Sequence, residues 1–356
     1  MQTQLNGESS SLALYQAWQQ LRKEQAGMRA RDAALALGVS EAELTASSLT
    51  VDSVRLCPDW PVLLPALESL GYVMALTRNE HCVHERKGHY REVTVMPSGL
   101  MGMVVSADID LRLFMAGWDS VFAVEEETPR GTQRSIQIFD KQGTAVHKVF
   151  LTPTSHLEAW PALVERLRMP QQTAELNLQP LPPAEALKAD ELIEVEGLRE
   201  AWSQLKDTHH FFALLRKFGT ARTQALRLAG REWAEPLAPE LLPELLVEAG
   251  KAQVPIMVFV GNQHCIQIHS GPVRNLRWLD SWFNVLDPEF NLHLKTTGVV
   301  SLWRVRKPSS DGIITSWEAF DANGNLVVQL FGAHKPGIPE RNDWRELAES
   351  FAELPA

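Results

Sequence analysis

Two adjacent histidines, His209 and His210, carry the strongest candidate chemistry in this chain. Apolar residues spaced by three and four positions, Trp202, Leu205 and Phe212, predict a helix over about residues 198–218 with His209 on its apolar face. His210 is rotated by about 100° on such a helix and is predicted to face elsewhere. An imidazole on an apolar face is either a hydrogen-bonded core residue or a metal ligand, and the spacing leaves both alternatives open.

Arg112 and Phe114 are the second candidate pair. Residues 110–114 alternate as a β-strand, which places Leu111 and Leu113 on one face and Arg112 and Phe114 on the other. That second face is either a solvated surface or one wall of a cleft in which a cation and an aromatic ring meet a ligand.

The cysteine and histidine pairs do not predict a zinc site. His81 precedes Cys82 and His264 precedes Cys265, each inside a run typical of a strand. Adjacent residues of a strand point to opposite faces, so neither pair can chelate one ion as a unit. The chain also lacks a Gly-x-Ser-x-Gly elbow and a glycine-rich phosphate loop, and its acidic and histidine residues are too scattered to select a catalytic triad.

The elements that must position these side chains occur twice. Residues 17–21 are echoed by 201–205, at an offset of 184 positions. Residues 79–83 match 262–266 at an offset of 183, and residues 139–143 match 320–324 at an offset of 181. Three blocks in the same order at a nearly constant offset indicate a tandem duplication. The first copy of the helix has no counterpart of the histidine pair, so the repeated scaffold does not require it.

Four prolines between residues 169 and 189 indicate a linker there. The predicted domains are an N-terminal repeat over 1–168 and a C-terminal repeat over 190–356. Within each repeat, helical patterns precede strand patterns, and Asn323-Gly324 is a strong hairpin signal. We therefore predict an α+β fold in which each half has a large antiparallel sheet with flanking helices.

Composition and charge narrow the class of protein. The chain has 356 residues, 22% of them charged and 45% hydrophobic, which is typical of a globular protein with room for two domains. Forty-four acidic against thirty-four basic residues give a net charge of −10, which disfavours nucleic acid as a partner. The longest apolar runs are too short for a bilayer span, the start has no export-signal pattern, and three cysteines fit a reducing compartment. We expect a cytoplasmic protein without stable membrane insertion.

Five segments together resemble the bacterial haemin transport and degradation family, the cytoplasmic haem-binding proteins of the HemS/ChuS/PhuS type. The segments are residues 78–85, 110–114, 207–212, 304–312 and 329–337. The resemblance covers nearly the whole chain, including the duplication. It implies two similar α+β halves with one haem b, bound as ferric haemin, in a cleft between them.

The resemblance also implies roles for individual residues. His209 corresponds to the axial ligand of the haem iron, and Arg112 and Phe114 correspond to the distal wall. Arg222 is expected close to a propionate or to the far side of the iron. His210 is expected as a transfer ligand or a surface neighbour. His334 is expected in a loop near the propionates.

Three functions follow from the resemblance. The leading hypothesis is a carrier that receives haem from an inner-membrane importer and passes it to a downstream haem oxygenase, which would serve iron acquisition. The alternative is an enzyme that itself opens the porphyrin with a reductant and oxygen or peroxide. A haem-dependent regulatory module is the third, and the acidic charge makes DNA its least favoured partner.

Overall fold

The computed structural model describes residues 2–25, 27–183, 187–334 and 337–354. The chain forms two units. Unit 1 comprises Met1–Thr77, Glu85–Pro182 and Asn262–Gln267, and unit 2 comprises Arg78–His84, Pro183–Gly261 and Ile268–Ala356. Among the described residues, no helix has the length and apolar character needed to cross a membrane.

The first half of the chain contains five α-helices and nine strands within its described residues. The helices are α1 (Gln2–Glu24), α2 (Ala30–Leu37), α3 (Glu41–Ala46), α4 (Trp60–Ala66) and α5 (Ala159–Leu167). The strands are β1 (Ser53–Leu56), β2 (Gly71–Arg78), β3 (Cys82–His89), β4 (Val93–Val95), β5 (Met101–Val105), β6 (Asp110–Phe114), β7 (Trp118–Thr128), β8 (Gly131–Asp140) and β9 (Ala145–Ser155). Single 3₁₀ turns cover Leu67–Leu70 and Met115–Gly117.

The second half repeats this order in the part that the structure describes. Its helices are α6 (Val195–Ser203), α7 (Phe211–Phe218), α8 (Arg222–Ala229), α9 (Leu241–Lys251) and α10 (Asn342–Glu349). Its strands are β10 (Ala234–Leu237), β11 (Ile256–Gly261), β12 (Cys265–Gly271), β13 (Leu276–Leu279), β14 (Trp282–Leu286), β15 (Phe290–Lys295), β16 (Ser301–Ser309), β17 (Gly312–Phe320) and β18 (Leu326–Gly332). Single 3₁₀ turns cover Asp190–Leu192, Thr208–His210 and Thr296–Gly298.

Each unit contains the same two groups of antiparallel strands. Unit 1 has a five-strand run in the order β1-β7-β8-β9-β2 and a three-strand run in the order β6-β5-β4. Unit 2 has the corresponding runs β10-β16-β17-β18-β11 and β15-β14-β13. The predicted α+β fold with large antiparallel sheets and flanking helices is therefore confirmed.

The register of the long hairpins supports the duplication. Ile136 pairs with Val149 between β8 and β9, and Trp317 pairs with Leu330 between β17 and β18. Trp317 lies 181 positions after Ile136, and Leu330 lies 181 positions after Val149. The sequence blocks at 139–143 and 320–324 have the same offset. The strands of each hairpin also show a register shift at the equivalent phenylalanine, Phe139 in one and Phe320 in the other.

An aspartate organises the turn of each long hairpin. Asp140 Oδ1 accepts hydrogen bonds from the backbone N–H groups of Gln142 and Thr144, both at 2.9 Å. Asp321 Oδ1 accepts the equivalent bonds from Asn323 and Asn325, both at 2.8 Å. The glycine of each turn has a positive φ, 79° at Gly143 and 77° at Gly324, which explains why glycine occupies both positions.

Each unit includes a short hairpin segment from the other half of the chain, and an asparagine anchors it there. Within unit 2, the Asn79 amide donates to the carbonyls of Gly261 at 3.1 Å and Val327 at 2.8 Å. Within unit 1, the Asn262 amide donates to the carbonyl of Val146 at 2.9 Å. The repeated blocks at 79–83 and 262–266 are thus the segments that the two halves exchange.

The histidine of each exchanged segment packs against a glycine. A Cβ atom placed on Gly117 would lie 2.1 Å from the His264 ring, and one on Gly298 would lie 2.2 Å from the His81 ring. The His264 carbonyl accepts the backbone N–H of Phe114 at 3.0 Å. Phe114 is the last residue of β6. The strand that carries Arg112 and Phe114 therefore lies next to the exchanged segment at residues 262–266.

Candidate functional site

The predicted helix over residues 198–218 is interrupted, and this part of the sequence interpretation was wrong. Helix α6 ends at Ser203, a single 3₁₀ turn covers residues 208–210, and α7 begins at Phe211. Asp207 is the N-cap of the turn, where its side chain accepts the backbone N–H of His209 at 2.8 Å. An aspartate that satisfies a backbone donor in this way competes with continuous helix formation.

The interruption changes the surroundings of His209. The structure buries Trp202 and Leu205, but the His209 side chain is 85% exposed and the Phe212 side chain is 67% exposed. The prediction that His209 lies on a buried apolar stripe was therefore wrong. Because the chain restarts as a new helix at Phe211, Phe211 rather than Phe212 turns into the core.

Asp207 also fixes the His209 imidazole. Its Oδ1 lies 2.6 Å from His209 Nδ1. The hydrogen bond to the His209 backbone N–H lowers the pKa of Asp207, and the hydrogen bond from the His209 side chain adds to this effect. Because an ionised carboxylate only accepts, Nδ1 carries the donated proton, and in the neutral form of the imidazole the lone pair is then on Nε2. A carboxylate behind a histidine in this manner is the usual support for a metal-binding imidazole.

His210 shares the turn with His209 and is also exposed. Its backbone N–H donates to the carbonyl of Asp207 at 3.0 Å, and the residue serves as the N-cap of α7. Successive residues of a 3₁₀ turn are rotated by about 120°, so the two imidazoles leave the backbone in different directions. The prediction that His210 faces away from His209 fits this geometry.

Arg222, the predicted propionate neighbour, is engaged with a buried carboxylate. It begins α8, and its Nε and Nη2 donate to the two oxygens of Glu318 at 2.7 and 2.8 Å. Its guanidinium carbon lies 5.2 Å from the centre of the Phe211 ring. Arg222 therefore contacts Phe211, the residue that directly follows the histidine turn in unit 2.

Glu318 and Lys307 are the members of this cluster that the sequence interpretation missed. The side chain of Glu318 is fully buried, that of Lys307 is 3% exposed, and they form an ion pair. Burial lowers the pKa of Lys307 to about 8, although the Glu318 charge opposes the shift. Burial would raise the pKa of Glu318, but the positive charges of Arg222 and Lys307 more than offset it and hold that pKa well below its usual range. An acidic residue inside the otherwise uncharged β17 was the signal available in the sequence.

Arg112 and Phe114 lie on strand β6 of unit 1 with the predicted alternation. Leu111 and Leu113 are buried, whereas Arg112 and Phe114 are half-buried on the other face. Arg112 Nη1 forms an ion pair with Asp110 and donates to the carbonyl of Leu111 at 3.1 Å. A pair at this degree of exposure contributes little to stability, so the guanidinium can exchange Asp110 for another anion at small cost.

His334 follows strand β18 in unit 2. Its Nδ1 lies 3.1 Å from the carbonyl of Gly332. Lys335 and Pro336, which belong to the same sequence segment, lie outside the described residues. None of the hydrogen bonds of the described residues joins His334 to the His209 turn.

Comparison with known proteins identifies the family. The family model described as "Haemin-degrading HemS.ChuX domain" matches residues 38–167 and 219–351. The hemin transport protein HmuS of Yersinia pestis is 40% identical over 338 residues, which are 94% of this chain and 96% of that protein. Holo-PhuS, a heme-binding protein from Pseudomonas aeruginosa, is 66% identical with a TM-score of 0.96 and covers 97% of this chain and 99% of its own. ChuS, described as an E. coli heme oxygenase, is 34% identical with a TM-score of 0.85 and covers 95% of this chain and 99% of its own. With both halves of the chain matched, this protein belongs to the haemin-degrading HemS/ChuX family.

Proposed function

We propose that this protein binds haem as its cargo, with the Nε2 atom of His209 as an axial ligand of the iron. The observation that carries the proposal is the exposed imidazole whose Nδ1 is held by Asp207 at 2.6 Å. A neutral, oriented imidazole is a common axial ligand of haem iron. The exposed Phe212 ring, three residues further on, offers an apolar surface of the kind that a flat macrocycle covers.

The remaining sequence predictions fit this proposal as parts of a haem carrier. Arg112 and Phe114 are proposed to contact the distal side of the haem. Arg222 is proposed to lie close to a propionate or to the far side of the iron, and His334 to lie near the propionates, where a guanidinium is a suitable partner for a carboxylate. His210 is proposed as the second imidazole available during transfer. The names of the hemin transport relative and of the heme-binding structure support haem binding and haem transport. We also propose that the protein acts in the cytoplasm, where it receives haem from an inner-membrane importer and delivers it to a separate haem oxygenase.

Replacing His209 by Ala is expected to weaken haemin binding by at least about tenfold, with Asp207→Asn giving a smaller loss in the same direction. The His209 change removes the ligand, whereas the Asp207 change leaves the imidazole without its carboxylate support. The measurement is a haemin titration of the apo protein followed in the Soret region, with affinity and band position recorded for each variant.

Two control variants match these substitutions. His156→Ala removes another exposed histidine, and Asp343→Asn removes an exposed aspartate from the first turn of α10. Both are expected to bind haemin with the affinity and spectrum of the wild type. An unchanged affinity and Soret band in His209→Ala would remove His209 as the ligand and would reject the proposed site.

A second candidate function is haem degradation by this chain itself. The description of its family model and the name of the E. coli relative both favour it. If the protein degrades haem, the holo protein is expected to yield a bilin product and released iron with a reductant and oxygen while catalase is present. Product formed only without catalase would indicate peroxide attack on bound haem, and the carrier function would then stand alone.

A further inference from the structure

The side chain of Phe211 connects the histidine turn to the body of unit 2. His209 and His210 are exposed, and Asp207, which binds His209, belongs to the same short segment. Phe211 follows directly as the first residue of α7 and is 2% exposed. The position of its ring therefore constrains where the turn ends and in which direction its imidazoles project.

One aromatic ring and two cations surround the Phe211 ring. The Trp202 ring meets it edge-on with 4.6 Å between ring centres. The guanidinium carbon of Arg222 lies 5.2 Å from the ring centre, and Lys307 Nζ lies 4.6 Å from it. Cations at these distances are attracted by an aromatic ring, and the attraction increases when water is excluded.

Glu318 holds both cations in place. Arg222 donates two hydrogen bonds to its carboxylate, and Lys307 forms a buried ion pair with the same group. Gln329 and Ser316 also donate to Glu318 Oε1, at 2.7 and 3.1 Å. These donors satisfy the buried carboxylate together, so the loss of either cation removes part of the charge that balances it.

We propose that Glu318, Lys307 and Phe211 are positioning residues that set the orientation of the His209 imidazole through contacts that do not involve the ligand. Glu318 fixes Lys307 and Arg222, the two cations fix the Phe211 ring, and the ring fixes the turn. The consequence for haem binding rests on the function proposed above. The orientation of the imidazole in the apo protein does not rest on it and can be measured separately.

The first measurement is the imidazole NMR spectrum of the apo protein, in which His209 is assigned by the signals lost in His209→Ala. Phe211→Leu and Lys307→Met are expected to shift and broaden the His209 signals, because each removes at least one cation–ring contact. Phe211→Tyr keeps the aromatic face and is expected to retain the wild-type signals. The same two disruptive variants are expected to bind haemin up to about tenfold more weakly, since an oriented ligand loses less freedom on binding.

Glu340→Gln is the matched control for general loosening of unit 2. Glu340 is another buried carboxylate of this unit, and it bonds the Thr315 backbone and Arg345 instead of the Phe211 cluster. We expect this variant to lower thermal stability without moving the His209 signals. Circular dichroism identifies any variant that does not fold, and in Lys307→Met the buried Glu318 carboxylate keeps its two hydrogen bonds from Arg222.

Two results would overturn the inference. One is an unchanged His209 spectrum in well-folded Lys307→Met and Phe211→Leu. The other is an equal shift of the His209 signals in Glu340→Gln, which would indicate a general structural effect. If His209→Ala binds haemin normally while the NMR shifts occur as expected, the haem site is wrong and the positioning of the imidazole stands.

Discussion

Between pH 6.5 and pH 4, His147 alone is expected to lower the free energy of unfolding by about 3 kcal/mol. Burial lowers the pKa of this histidine from 6.5 to about 3 in the folded protein. In the pH range between these values the unfolded chain binds a proton at this position and the folded chain does not. The stability contributed by neutral His147 is therefore complete above pH 6.5 and is lost as the pH falls toward 3.

The surroundings of His147 explain why its neutral form is required. The residue is 2% exposed, with its Nε2 2.5 Å from the Tyr90 hydroxyl and its Nδ1 2.8 Å from Thr77 Oγ1. Burial raises the pKa of Tyr90 well above its ordinary value, so the phenol keeps its proton and donates it to Nε2. Protonation of Nε2 would place a second proton between Nε2 and the Tyr90 oxygen, in a buried site.

The measurement compares urea unfolding of wild type and His147→Gln at pH 7, 5.5 and 4. Carboxylates also titrate in this range, but they contribute equally to both proteins, so the difference in slope reports His147 alone. Gln can donate and accept hydrogen bonds at the same place without a titratable group, and the variant is expected to lose less stability on acidification. The exposed His156→Gln is the control, and equal pH slopes for wild type and His147→Gln would contradict the prediction.

The repeat and the hairpin registers could be predicted from sequence because they depend on local signals. The offset of 181 between residues 139–143 and 320–324 is the same offset that relates the paired residues of the two long hairpins. Alternation along residues 110–114 also predicted which side chains of β6 are buried. These features depend on the spacing of side chains along one segment, which the sequence displays directly.

The surroundings of His209 could not be predicted in the same way. Helical spacing through Trp202 and Leu205 placed His209 on the buried face, but Asp207 captures its backbone N–H and interrupts the helix before it. A capping hydrogen bond of this kind contributes about 1 kcal/mol, and here it accompanies the break between α6 and α7 that leaves His209 in solvent. The periodicity of apolar residues does not show where a side chain interrupts a helix. Asp207, two residues before His209, was the signal in the sequence that favoured an interruption.

Non-local partners explain why the cluster around Glu318 was missed. Its carboxylate binds Arg222, which is 96 positions away in the sequence, and Lys307 on the neighbouring strand β16. The corresponding position in the first half is Gln137 (318 − 181), so the duplication gave no indication of an ionic group. A buried charge is identified only when its partners are known, and their proximity results from the tertiary fold.

Replacing Glu318 by Leu is expected to reduce the free energy of unfolding by about 3–5 kcal/mol at pH 7, a typical result of breaking a buried ion pair. The variant leaves Lys307, which has a 3% exposed side chain, without its counter-ion. Arg222 also loses both of its carboxylate bonds, but it is 27% exposed and can be partly hydrated. Most of the loss is therefore expected to come from Lys307.

A second substitution tests that assignment. Glu318→Leu combined with Lys307→Met removes both buried charges and is expected to recover more than half of the stability lost in the single variant, because apolar side chains of similar volume often replace a buried pair well. Chemical unfolding of the wild type, the two single variants and the double variant gives the coupling energy. If the double variant is as unstable as Glu318→Leu, the stranded lysine is not the cause of the loss.

The pH dependence of Glu318→Leu provides an independent check. In the wild type, burial has already lowered the pKa of Lys307 to about 8 against the opposing charge of Glu318. Without Glu318 that pKa falls further, so Lys307 can lose its proton and relieve the buried charge at a lower pH. The stability deficit of the variant relative to wild type is therefore expected to be larger at pH 6 than at pH 9. A deficit that is equal at both pH values would place its origin in packing around residue 318 instead of in the charge of Lys307.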